Sequence, residues 1–227
     1  KTGACPSVNR RTLVPEFRQK QEKDMSDKLA GYLPRLSFLR ATEPGSLTLA
    51  RLCLEMATAL DKSERMVALS LFDEADQIFA SHLQTAPDAA RAGLAHSLNN
   101  RAALEIGAGQ WADAVDAACQ AVELRRDRLA RLRSEQSEAA RLDLGYSQGA
   151  LVLALRGAGQ FGTAREICGE ALVNLAVFAG KKNQQAFILL AKLICLYTEL
   201  CGITGEKPDP VLLLPLAKAF YDSNQTG

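Results

Sequence analysis

Two adjacent asparagines, a run of arginines and scattered thiols are the groups in this 227-residue chain whose types could do chemistry. Asn99 and Asn100 each offer a donor and an acceptor, which suits bidentate bonding to a peptide backbone whatever its side chains. Arg125, Arg126, Arg128, Arg131 and Arg133 form a basic cluster that could dock an acidic partner. At helical spacing they spread around the cylinder, and Glu135, Glu138 and Asp143 follow closely, which reads as a solvated helix with i,i+4 pairing. Nucleic acid is disfavoured as a partner because no stacking aromatics stand nearby.

Catalytic groups do not converge. His82 and His96 are the only histidines, neither sits in an HExxH-type spacing, and no Cys, His and Asp order matches a nucleophile motif. The two GAGQ segments, at Gly107 and Gly157, lack the GK[ST] ending and come after no strand, so they read as turns rather than phosphate loops. The expectation is a non-enzymatic chain with no metal and no cofactor.

Lys and Arg total 27 against 26 Asp and Glu, and a net charge of +1 gives no global attraction to nucleic acid or an anionic membrane. Six cysteines (Cys5, Cys53, Cys119, Cys168, Cys195, Cys201) show no CxxC, and five lie within apolar helical patterns. Small buried thiols of this kind fit a reducing compartment, so a cytoplasmic location is expected. The longest apolar stretch, Ala186 to Leu196, is interrupted by Lys192 and falls short of the ~20 residues that cross a bilayer, so no membrane contact is expected. The chain begins at Lys1 without an apolar leader and reads as a piece of a longer protein.

The elements that must position these groups are helices. Residues 1–15 read as a flexible arm, 16–44 as N-terminal capping helices, 45–222 as the main helical domain and 223–227 as a polar tail. Pro44-Gly45 breaks the chain, and Ser46 can cap the next helix. Leu49, Leu52, Cys53, Met56 and Leu60 make one apolar stripe; Val67, Leu71, Ala75, Ile78 and Phe79 make a second; Phe187, Leu190, Ile194 and Tyr197 make a third. Gly202 and Gly205 close that third helix, Asp209-Pro210 can open another, and Pro215 would kink it. Strand alternation and hairpin signals are missing, so the fold class is all-α.

The chain also repeats itself. GAGQWADA at Gly107 to Ala114 and GAGQFGTA at Gly157 to Ala164 are offset by 50 residues, which further aligns Ala121 with Ala171. The glycines end one helix and turn the chain with positive φ, the aromatic is expected to bury itself in the corner of its own hairpin, and the alanines thin one face of the second helix for close approach. The stretch SLNNRAALEIGAGQWADAVDAACQAVEL (Ser97 to Leu124) resembles a tetratricopeptide repeat, especially the kinesin-light-chain-like variety. Gly157 to Leu172 is similar over the turn and second helix, and VALSLFDEADQIF (Val67 to Phe79) looks like another second helix. The intervals here, 46 and 50 residues, exceed the family's usual spacing of about 34; the surplus is expected to lengthen the helices.

That resemblance implies a right-handed α-solenoid of long helical hairpins with capping helices at both ends, in which the first helix of each hairpin lines a concave groove. His96, Asn99, Asn100 and Ala103 would then face the groove, and the 50-residue offset places Tyr146, Gly149, Leu153 and Arg156 on the equivalent face of the next hairpin. In the resembled family such asparagines hold peptide backbone. The expected function is a protein–protein interaction module binding a peptide or protein segment in that groove. Two alternatives stay open: a regulatory or sensor domain taking a short peptide or small ligand, and a structural scaffold that self-associates as a homo-oligomer.

Overall fold

The computed structural model describes residues 29–60, 62–132, 137–178 and 183–214. The expected arm at 1–15, residues 16–28 of the expected cap, Cys5, Arg133, Glu135, Pro215 and the tail at 223–227 lie outside the described residues.

Each boundary has a cause in local chemistry. Helix α1 (Leu33–Thr42) begins with Pro34 in its first turn, where the missing N–H costs nothing, and buries Leu36 and Leu39. Gly45 then takes φ +83°, a turn only glycine makes without strain. Ser46 caps α2 (Leu47–Ala59), its hydroxyl accepting from the Leu49 N–H at 3.1 Å. A single 3-10 turn (Lys62–Glu64) leads into α3 (Arg65–Ser81). Next come α4 (Pro87–Ala108), α5 (Trp111–Arg131), α6 (Ser137–Gly157) and α7 (Phe161–Leu175), then a 3-10 turn (Ala176–Phe178) and α8 (Gln184–Thr204). Residues 210–214 are again helical, with the Asp209 carboxylate accepting from the Val211 N–H at 2.9 Å. Among the described residues there is no strand.

The two GAGQ turns have the same geometry. Gly109 and Gly159 stand at φ +73° and +75°. The Gln110 N–H reaches back to the Glu105 carbonyl and the Gln160 N–H to the Leu155 carbonyl, each at 2.9 Å, while Gly109 and Gly159 bond three residues back. This six-to-one plus five-to-two pairing is the Schellman closure, which satisfies carbonyls the helix end leaves open. Ala114, Ala121, Ala164 and Ala171 have no exposed surface, so α5 and α7 each lie flat against their neighbours.

Successive helices from α1 to α8 pack on one another, and α2 with α4, α4 with α6, and α6 with α8 also touch. Neighbours run antiparallel. The Asn174 amide in α7 donates to the Arg141 carbonyl in α6 at 2.8 Å, and the Cys168 thiol donates to the Leu193 carbonyl in α8 at 3.3 Å. The long helices accommodate the surplus residues of the repeat: α4 has 22, and α5 and α6 have 21 each.

Two apolar cores result. The first joins α1, α2 and α3 around Leu52, Cys53, Phe72 and Phe79; the second joins α4 to α8 around Val152, Leu172, Leu175, Leu190 and Leu200. Leu94 and Leu104 of α4 pack against the first core, beside small and polar groups of the same helix. Gly93 lets the Phe79 ring lie directly on the α4 backbone. Arg65 in α3 binds the buried Glu105 carboxylate with two bonds of 2.8 and 2.9 Å, and Arg101 binds Asp73 and Asp76.

Four expectations need correction. Val67 is 49% exposed, because Ala68, one residue on, faces the core instead. Trp111 is 37% exposed and lies on the backbone of Gly157 in the next hairpin, rather than inside its own corner. Cys195 is exposed, unlike Cys53, Cys168 and Cys201. Helix α8 is, by length and composition, apolar enough to cross a membrane, with a mean hydropathy of 1.9 over its best window. The apolar run reads as short only when Lys192 is taken to end it, and the helix continues past it. In the fold Leu190, Leu193, Tyr197 and Leu200 are buried, while Phe187, Ile188 and Ile203 are exposed.

Candidate binding groove

Small residues on α4 and α6 open a hollow that larger residues on α8 wall in. Ala103 and Ile106 contribute from α4; Tyr146, Gly149, Ala150 and Leu153 from α6; Ile188, Lys192, Cys195, Leu196 and Glu199 from α8. The space measures ≈ 820 Å³, within the usual range for ligand pockets of roughly 300–1,000 Å³. A Cβ on Gly149 would meet Leu193 and Leu189 at 3.7 and 3.8 Å, so this glycine thins α6 where α8 passes close. Leu153, Tyr146 and Ile188 leave much of their apolar surface to solvent, a feature that marks interaction sites when it is contiguous.

Of the residues expected to share one face, Ala103, Tyr146 and Leu153 come together here with Gly149. Arg156 reaches the same rim through its ion pair with Glu199. The asparagines are engaged within the fold. The Asn99 side-chain oxygen accepts from the Ser147 hydroxyl at 3.0 Å, bracing α4 to α6, and the Asn100 amide donates to the Thr58 hydroxyl at 3.0 Å, tying α4 to α2. His96 stands further toward the start of α4, at the edges of two other hollows.

The arginine cluster does not form one patch. Arg126 pairs with Glu170 in α7, Arg128 with Asp143 in α6 at 3.1 Å, and Arg131 with Asp127 one turn back at 3.3 Å. Arg125 turns inward, donating to the Asp143 carbonyl and to the Ser147 hydroxyl. Among the described residues only the Arg131 contact is the i,i+4 pairing within a helix that the spacing suggests; the others cross between helices.

Sequence reasoning misses the contribution of α8. Its stripe at Phe187, Leu190, Ile194 and Tyr197 accounts for one face, whereas Ile188, Lys192, Cys195 and Glu199 recur at i, i+4, i+7 and i+11 on another. A helix apolar on more than one side is the available signal. Among the described residues no group of three or more His, Cys, Asp or Glu side chains is arranged to hold a metal ion. Comparison with known proteins finds no family and no curated relative that matches the chain.

Proposed function

We propose that this chain is a non-enzymatic interaction module, a right-handed solenoid of tetratricopeptide-like hairpins that holds an apolar peptide or protein segment along α4, α6 and α8. The observation that carries this reading is the groove itself: an apolar trough between the first helices of successive hairpins, with Tyr146, Leu153 and Ile188 presenting unburied surface. The matching turns at Gly109 and Gly159, and the contacts between the first helices of successive hairpins, support the stacked arrangement. Occupancy of such a trough removes apolar area from water, at roughly 25 cal/mol per Å² before ordering costs.

The test is site-specific crosslinking. A photoreactive residue at Leu153 captures the occupant in cells, and one at Asp116 on exposed α5 does not; Leu153→Asp releases the same protein from the unlabelled chain. Equal capture at both positions would overturn the assignment of the groove. Capture of the chain's own second copy at Leu153, with a concentration-dependent mass, would replace an external partner by self-association.

A further inference from the structure

A second, smaller hollow lies between α4, α5 and α6, ≈ 140 Å³ in volume and more enclosed than the groove. Its charged lining is Arg91 and His96 from α4, Arg125 and Arg128 from α5, and Asp143 from α6; alanine and leucine side chains close the rest. Three arginines and one aspartate therefore border the same hollow. Arg128 takes the Asp143 carboxylate at 3.1 Å, and among the described residues Arg91 and Arg125 have no carboxylate within ion-pair distance, Asp143 acting on Arg125 only from further off.

The position of Arg125 makes the imbalance costly. Its Nη1 donates to two neutral oxygens, the Asp143 carbonyl and the Ser147 hydroxyl, while Nε and Nη2 make no hydrogen bond among the described residues. A guanidinium does not shed its proton in a protein, and Arg125 is half-buried, so its charge gains from a further counter-charge brought to it. Burial pushes the Arg125 pKa down, with Asp143 opposing and Arg128 adding to the effect. His96 is likewise lowered by lost hydration, and then by the charge of Arg125.

From this arrangement we infer that the hollow binds a small oxyanion, a phosphate or carboxylate group held by Arg91, Arg125 and Arg128 with His96 at the edge. Planar guanidiniums offer paired N–H donors matched to two oxygens of such a group. With a water occupying about 30 Å³, the hollow has room for about four or five waters, or for one oxyanion with part of its hydration shell. The neighbouring Arg126 and Arg131 belong to other pairs and line no part of it.

Calorimetric titration of the whole chain with sodium phosphate, sulfate and acetate, against chloride at matched ionic strength, tests the site. One-to-one saturable binding of at least one oxyanion is expected, weakened at least tenfold in Arg91→Gln and in Arg125→Met, and changed less than twofold in Arg126→Gln. Arg91 is half-buried at the hollow and makes no ion pair among the described residues, so its variant keeps the fold even if Arg125→Met does not. An acidic or phosphorylated peptide that binds more tightly than the free ions shows that the oxyanion arrives on a partner; free ions that bind as well or better show that it is a small solute. Heats that match chloride for every oxyanion, or an Arg126→Gln loss as large as that of Arg91→Gln, overturn the proposal.

Discussion

The indole of Trp111 lies on the backbone of Gly157: a Cβ at that glycine would stand 2.2 Å from ring carbon Cε3. The aromatic of one GAGQ turn thus covers the first glycine of the next, and a second such contact puts a Cβ on Gly93 at 2.3 Å from Phe79 Cε1. The two differ in what can yield. Phe79 is 1% exposed and has nowhere to go, so Gly93→Ala lowers stability by about 1–3 kcal/mol through overpacking. Trp111 borders solvent and can swing outward, so Gly157→Ala costs less, the helix propensity of alanine offsetting up to about 1 kcal/mol. Urea unfolding ranks the two variants. Because Trp111 is the only tryptophan, its emission shifts to the red in Gly157→Ala and stays put in Gly93→Ala; the reverse pattern refutes the assignment.

The same contact marks where sequence reasoning stops. Local features are legible: the Ser46 cap and the positive φ at Gly109 and Gly159 depend on residues within a turn or two. The destination of Trp111 depends on a glycine 46 positions later, and nothing in GAGQW names it. Arg125 is similar: a charged run reads as solvent-facing, but α6 brings Asp143 and Ser147 to it. In the groove, Ala103 and Leu153, matched by the 50-residue offset, line one hollow, and the offset does not reach α8, which lacks the repeat motif. An isolated glycine within a helix, such as Gly93, signals close backbone approach even when its partner is unknown.

Asn99 works as a brace between α4 and α6. Its oxygen accepts from Ser147, whose own hydroxyl accepts from Arg125, so three helices meet through one partly buried network. Asn99→Ala costs about 0.5–1.5 kcal/mol, the net worth of such a bond. Asn100→Ala removes an exposed bond to Thr58 and stays within about 0.5 kcal/mol. Thermal and urea unfolding of the two variants give the comparison. A larger loss at Asn100 would contradict this division of roles.

Two carboxylates on α3 push acid stability in opposite directions. The Arg40 guanidinium, chiefly through its hydrogen bond, holds the Glu74 carboxyl below its ordinary 4.5, whereas burial raises Asp76 above its ordinary 3.8, against the pull of Ser97 and Arg101. Glu74 therefore contributes stability that is present above 4.5 and lost as pH falls through its lowered value. Asp76 does the reverse, its penalty appearing as pH rises from 3.8 through its raised value and vanishing in acid. Unfolding free energies from about pH 3 to 6.5 then give a shallower acid slope in Glu74→Gln than in the parent, and a steeper one in Asp76→Asn. Parallel slopes in all three proteins would remove both effects.

Thiol chemistry separates the core from the groove. Burial, the largest influence on each, raises the Cys53 and Cys168 thiols to about 12, so at neutral pH neither presents thiolate or access to an alkylating reagent. Cys119 is half-buried and also raised. Cys195 is exposed and lines the groove beside Lys192 and Leu196, so among these four it reacts first with iodoacetamide, as read by peptide mapping. An occupant lying along α4, α6 and α8 covers that sulfur, and its addition slows Cys195 labelling while leaving Cys119, on α5, at its original rate. A partner that binds the chain and leaves Cys195 labelling unchanged occupies some other surface. Protection that disappears in Leu153→Asp, which stands across the trough on α6, ties the covered thiol and the apolar wall to the same occupant.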